Sequence, residues 1–516
     1  MNRRHAETVG QLLDAVPAPL VVPGAREEVR EAHLRAGRRF VVLDDDPTGS
    51  QCVHDVEIVS ATGDPLAAAL HEPGSTAFVL TNTRSMQPED AVASTVRSAR
   101  DAHALSRALG APVDVVSRGD STLRGHVVAE MRALAQSRRR ESGAGYDAML
   151  LVPAYLEAGR FTVGDVHWAM VGEEPIPVGE SEFSEDATFG YSASNLKDYL
   201  VEKTGARLGR DDILSISLTD IRAGGPEAVA AVLRSAHDGR WVVVNAMDYA
   251  DLDVVALAVA RLGAAGRSFL YRCGPSFVQA LAGVAPRGVL TSADLSGAGL
   301  GRPDERQHGL VAVGSHVGLT TRQVAALQRR GAVRSIELDV TALLDPARSA
   351  RHVDETADAV RSSLVDSDVL LYTSRNLRRA ADPTGSLAIS RGVSVDLAGV
   401  VRRSLAARPA WVVAKGGITS HDVAVRGLSM SRGRVLGQLL PGLISVVSPV
   451  DAAPEAVGMP YVVFAGNVGT EQTLADIVGV LSGRLPIASS PSAAPARAVD
   501  RRSPGIRDFI AGGDTV

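Results

Sequence analysis

FVVLDDDPTG, Phe40–Gly49, is the stretch from which the fold is read. Phe40–Leu43 is a short unbroken apolar run, the pattern of a strand buried on both faces of a parallel sheet. Pro47 and Gly49 stop it, since proline has no backbone donor and both residues favour turns. Open parallel sheets place their ligand crevice beyond the carboxyl ends of their strands. Asp44, Asp45 and Asp46 fall at such an end. A single aspartate there would cap a turn, but three adjacent carboxylates repel one another and are tolerated where a cation, a proton or several hydroxyls are held.

Outward from this stretch the pattern repeats. Ala77–Leu80, Val113–Val116, Ala148–Pro153, Trp241–Asn245 and Ser268–Tyr271 read as further strands, with helices over Arg26–Arg38 and Glu89–Leu109. Leu281–His308 then dissolves into glycine, alanine, proline and charge, the composition of a connection. A second series follows at Leu310–Val313, Ile336–Val340, Val369–Tyr372, Trp411–Ala414 and Tyr461–Phe464, while DPTGS at Asp382–Ser386 reads as a surface loop. Alternating strands and helices predict α/β architecture, and 516 residues exceed one core. The expected division is an extension (1–38), a first domain (39–280), a linker (281–308), a second domain (309–484) and a flexible tail (485–516). Each domain is expected to be a mostly parallel sheet flanked by helices, with the active site in the cleft between them.

Composition removes several function classes. The formal charge of −5 is mixed along the chain, which gives neither a nucleic-acid nor a polybasic membrane signature. Asp14, Pro17 and Pro19 interrupt the N-terminal apolar stretch, so it makes a poor signal peptide, and no run is long enough to span a bilayer. Cys52 and Cys273 are far apart and without partners at metal-ligand spacing, which fits buried thiols in a reducing cytoplasm. Lysine occurs only at 197, 203 and 415, against many arginines.

A second chemically dense stretch is SRGDSTLRGH, Ser117–His126, where a strand end is expected to meet a helix start capped by Asp120 or Ser121, with Arg118 and Arg124 flanking the free amides. Glu157, Arg160, Thr162 and His167 are available in the glycine-rich loop after Pro153, and Glu180–Ser194 reads as an irregular excursion that covers a ligand. In the second series, GSHVGLTT (Gly314–Thr321), KGGITS (Lys415–Ser420) and AGNVGT (Ala465–Thr470) are glycine turns leading into helices. Glycines let the backbone approach a bulky anion, Thr419 and Ser420 can bond an oxygen, and Lys415 can neutralise charge. The Walker spacing is absent.

In this order the motifs resemble the four-carbon acid sugar kinase family, from about Phe40 to Ile477. The matching pieces are DDxTG at Asp45–Gly49, DSTLRG at Asp120–Gly125, VPAYLEAGR at Val152–Arg160, GS at Gly314 and Ser315, GGxTS at Gly416–Ser420, and GN at Gly466 and Asn467. The resemblance implies an acid-sugar domain followed by a nucleotide domain, and an ATP-dependent, cytoplasmic kinase acting on the terminal hydroxyl of threonate, erythronate or a 3-oxo-tetronate. The implied catalytic carboxylates are Asp45, Asp46 and Asp120. Asp44, Thr48, Arg84, Arg118, Ser121, Arg124 and Arg160 stand on the sugar side. Ser315, Lys415, Gly416, Gly417, Ile418, Thr419, Ser420, Gly466 and Asn467 stand on the ATP side, with Mg2+ whose ligands are unassigned. On this reading Arg124 takes the sugar carboxylate and Asp45 or Asp46 the hydroxyl proton. The expected partners are the acid sugar and ATP, with no nucleic acid or membrane, and a homodimer is left open.

Two other classes compete. Asp44, Asp46 and Thr48 satisfy the DxDxT pattern of haloacid-dehalogenase-like phosphohydrolases, with Lys203 and the pair Asp211 and Asp212 as the nearest further parts. A two-lobed sugar-acid binding protein is the non-enzymatic alternative, and it leaves the second glycine turn unexplained.

Overall fold

The structure, a computed structural model, describes residues 9–12, 14–46, 52–172, 174–297, 308–375, 383–440, 444–466 and 468–485. Thr48, Asn467 and most of the expected tail lie outside these residues. The described residues divide into two compact units, one drawn from those up to Val53 and from Thr62–Pro286, the other from His54–Ala61 and from Arg287 to Leu485.

In chain order the strands are β1 (Arg39–Asp44), β2 (Glu57–Val59), β3 (Thr76–Leu80), β4 (Val113–Arg118), β5 (Ala148–Val152), β6 (Arg160–Val163), β7 (Val166–Val171), β8 (Glu174–Pro177), β9 (Leu214–Ile216), β10 (Arg240–Val244) and β11 (Phe269–Cys273). They continue with β12 (Leu310–Val313), β13 (Val333–Leu338), β14 (Asp368–Thr373), β15 (Val412–Lys415), β16 (Arg432–Leu440), β17 (Ile444–Asp451) and β18 (Tyr461–Phe464).

In the first unit the order β3-β1-β4-β11-β5-β10-β9 is parallel throughout. Parallel neighbours need crossovers, and helices such as Pro88–Leu109 supply them. Proline opens that helix and Gly110, at φ 59°, closes it. Helices on both faces explain why Phe40–Leu43 shows no polar alternation: every residue of β1 is buried. β1 lies between β3 and β4, so the chain leaves it in opposite directions, and the crest at its carboxyl end is a switch point.

A smaller antiparallel sheet, β6-β7-β8, stands where the sequence suggests a loop. Its first hairpin turns on Gly164 and Asp165, both at φ near 60°, as a two-residue type I′ turn requires. Asp120 and Ser121 also differ from expectation: the helix after β4 starts only at Val127, so they belong to a loop and cap nothing.

The second unit has a parallel set, β13-β14-β12-β15-β18, extended by the antiparallel strands β17, β16 and β2. β2 comes from the first fifth of the chain and pairs Val59 with Arg432 and Glu57 with Arg434. Arg432 reaches Glu57 at 3.3 Å and Arg434 reaches Asp55 at 2.7 Å. Pro383–Ser404 is one helix, so residues 383–386 open a helix and are not a surface loop; proline fits there because first-turn amides need no helical partner. Among the described residues no helix is long and apolar enough to cross a membrane.

Candidate active site

The ends of β1 and β4 are paired, Asp44 beside Arg118, and the charges follow from that register. Arg118 donates to Asp44 Oδ1 at 2.8 Å, with Asp44 fully buried. Burial pushes its carboxyl up to about 7 even against the attraction of Arg118. Asp45 is held from both sides. Arg84 donates to Oδ1 at 2.5 Å, and Arg272 of β11 donates to Oδ2 at 3.0 Å. The second arm of Arg84 takes Asp46 Oδ2 at 3.0 Å. Side-chain exposure ranks the carboxylates: Asp44 0%, Asp45 3%, Asp120 11%, Asp46 27%. A solute thus reaches Asp46 most readily.

Arg272 is the keystone. Besides Asp45 it bonds Ser117 Oγ and Glu130 Oε2, each at 2.9 Å, and Thr83 closes the group onto Glu130 Oε1 at 2.6 Å. A β-carbon on Gly119 would lie 2.0 Å from the Arg272 guanidinium, so only glycine fits there.

The Asp120–Gly125 loop is held by its carbonyls. His167 Nε2 meets the Ser121 oxygen at 2.7 Å, Tyr191 donates to Thr122 at 2.6 Å, and Tyr199 donates to Leu123 at 2.7 Å. Three successive carbonyls are fixed by three buried side chains, and Leu123 sits at φ 67°. Burial pushes His167 down to about 4, so it stays neutral and acts as a brace. Asp120 accepts from Arg124 Nε at 2.7 Å and from Thr122 Oγ1. The nearby arginines hold its carboxyl well below the usual range. Arg124 also lies 3.8 Å from Asp186 and over the ring of Phe183.

In the second unit the ends of β12, β15 and β18 carry the three glycine turns. They wall a cavity of about 580 Å³ lined by Ser315, Gly416, Gly417, Ile418, Thr419 and Gly466, with Val340, Ile389 and Val393 adding an apolar side. Gly416 sits at φ 120°, and a β-carbon on Gly314 would meet Thr419 Oγ1 at 2.3 Å. Thr320 Oγ1 ties Ser315 Oγ at 3.2 Å to the Gly466 carbonyl at 2.8 Å. Two expected residues face elsewhere. Ser420 is buried with its hydroxyl on Ala414 O, and Lys415 donates to Ala465 O at 2.6 Å, its ammonium 3.6 Å from the Phe464 ring centroid. Lys415 therefore braces the third turn instead of entering the cavity.

Two family models fit this chain, a sugar-binding N-terminal domain over residues 40–281 and a nucleotide-binding C-terminal domain over residues 310–474. The chain belongs to the four-carbon acid sugar kinase family. It is 27% identical over 296 residues to a D-erythronate kinase of Heliobacterium modesticaldum, a match covering 57% of this chain and 59% of that relative. Two solved structures share the fold. A Salmonella typhimurium LT2 protein, described provisionally as a tRNA synthase, superposes with TM-score 0.60 at 19% identity over 84% of this chain and 98% of its own. A Haemophilus influenzae protein gives 0.57 at 17% over 86% and 100%. At such identities they speak for the fold alone.

Within the four-carbon acid sugar kinase fold several residues of the crest escape sequence reading. Arg272 has one local signal, a lone cation inside the buried strand FLYRC. Glu130, Tyr191 and Tyr199 have none, since each looks like an ordinary helix or loop residue.

Proposed function

We propose that the chain transfers the terminal phosphoryl group of ATP to the terminal hydroxyl of a four-carbon acid sugar of the threonate, erythronate or 3-oxo-tetronate type. The observation that carries the reading is the glycine-walled cavity in the nucleotide-binding unit of a chain whose other unit bears a crest of carboxylates and guanidiniums. The similarity to a D-erythronate kinase supports the substrate class.

Phosphoryl transfer needs positioning, charge neutralisation and a base. Asp46 takes the hydroxyl proton, being the most exposed carboxylate of the crest. The hydroxyl oxygen bonds the γ-phosphorus as the bond from that phosphorus to the bridging oxygen of ADP breaks. Asp45, locked between Arg84 and Arg272, and Asp120, locked to Arg124, hold the crest in shape. The turns at Gly314–Ser315, Gly416–Thr419 and Gly466 hold the phosphates, and Val340, Ile389 and Val393 face the nucleoside.

Among the described residues no group of three His, Cys, Asp or Glu side chains could hold a metal ion. Mg2+ is usually held by ATP phosphates together with one or two carboxylates. The reading requires an ATP-containing compartment, the cytoplasm, where the buried thiols of Cys52 and Cys273 stay reduced.

The phosphohydrolase alternative needs Asp44 as nucleophile, yet that carboxylate is sealed and paired with Arg118. Its expected lysine, Lys203, bonds the carbonyls of Phe189 and Gly190. The test is ADP release from purified protein with MgATP across threonate, erythronate, their 3-oxo forms and longer aldonates. Turnover confined to a four-carbon acid supports the proposal; ATP-independent release of phosphate from a sugar phosphate overturns it.

A further inference from the structure

Resting on the acid-sugar reading above, we propose that Arg160, seated with Arg124 on the ring of Phe183, is the residue that reads the substrate carboxylate and so makes the site select acids over neutral sugars. Charge accounting singles it out. Arg84 faces Asp45 and Asp46, Arg118 faces Asp44, Arg124 faces Asp120, and Arg272 faces Asp45 and Glu130, all within 3.0 Å. In each of these the positive charge is already balanced by a neighbouring carboxylate. Arg160 has no ion pair among the described residues: one arm donates to the Ala158 carbonyl, and its Nε is buried without a partner. A largely desolvated cation without a counter-ion is costly unless an anion arrives.

The backbone fixes where Arg160 stands. It is the first residue of β6, exchanges hydrogen bonds with Tyr155 at 2.9 and 3.1 Å, and pairs with Ala169. Gly159 before it, at φ 67°, could carry no β-carbon, which would meet Met170 at 2.5 Å. Phe183 supplies the platform, its ring centroid 5.3 Å from the Arg124 guanidinium carbon and 5.5 Å from that of Arg160. Stacking on an aromatic face holds a guanidinium flat while leaving its edge free for a bidentate carboxylate. Arg124 spends its Nε on Asp120 and thereby shapes the loop, whereas Arg160 is left to bind.

The test compares one four-carbon acid with its carboxamide, which keeps the hydroxyls and removes the charge. Arg160→Met is expected to raise KM for the acid by about 10² or more, with kcat within about tenfold, and to lower the amide's kcat/KM far less than the acid's. Arg160→Lys, which keeps the charge without the fork, should recover part of the loss. Phe183→Leu should weaken acid binding by about tenfold with both charges kept. Melting curves of each variant, with and without the acid and without ATP, separate binding from folding. An acid-to-amide ratio unchanged in Arg160→Met overturns the inference while the kinase reading stands. A wild-type protein that neither turns over nor is stabilised by any four-carbon acid overturns the acid-sugar reading itself.

Discussion

Arg272 and Asp45 meet at 3.0 Å in the buried crest, both almost wholly excluded from solvent. Removing one partner of such a pair leaves the other charged and stranded, which costs about 3–5 kcal/mol. Arg272 also serves Glu130, so Arg272→Met leaves Glu130 without its counter-ion and Asp45 with Arg84 alone. The expected outcome is a loss within that range in denaturant melts, with part regained when Glu130→Gln is added.

Asp45 and Asp46 are neighbours in sequence with different tasks. Asp46→Asn should keep the melting temperature and lower kcat by about 10² to 10⁴, the usual worth of a positioned base. Asp45→Asn should lower stability first, because the amide keeps one acceptor oxygen for either Arg84 or Arg272 and turns an NH2 donor on the other. Equal effects of the two on kcat and none on melting would remove the distinction.

Tyr199 donates its hydroxyl to the Leu123 carbonyl of the Asp120–Arg124 loop. Tyr199→Phe keeps the ring and removes the hydroxyl, which leaves a buried acceptor at a cost of about 1–3 kcal/mol. The loop should loosen, so KM for the sugar rises while KM for ATP does not. Steady-state kinetics with each substrate varied separately checks this.

Lys415 gives a pH dependence. Burial lowers its ammonium from 10.5 to about 7. Between those values the unfolded chain binds a proton that the folded chain has released, so the contribution to stability grows as pH rises from about 7 toward 10.5 and is absent below. Lys415→Met should flatten that rise, measured as unfolding free energy at several pH values. It should also raise KM for ATP, since the Ala465 carbonyl beside Gly466 loses its donor.

Much of the first unit is legible in sequence because parallel strands covered by helices carry unbroken apolar runs, as Phe40–Leu43 of β1 and Ala148–Val152 of β5 do. β2 is not: three residues carry no periodicity, and their partner at Arg432–Arg434 is remote. The hairpin of β6 and β7 has a readable Gly164-Asp165 turn, masked by the polar residues around it. At the site, sequence shows which charges exist but not where they point. Asp44, Asp45 and Asp46 look equivalent in the string, yet the strand register buries the first, locks the second and leaves the third half-buried. The same blindness assigns Lys415 to phosphate, though the described structure turns it onto Ala465. Arg160 and Arg124 are alike as letters, and only their partners distinguish them.

Phosphorus NMR of the purified protein incubated with MgATP and each four-carbon acid in turn distinguishes the kinase from its rivals. One new phosphate monoester resonance is expected, coupled to the terminal methylene of the acid and matched mole for mole by ADP. ATP left intact beside every four-carbon acid, by a protein that is folded and binds the nucleotide, would contradict it.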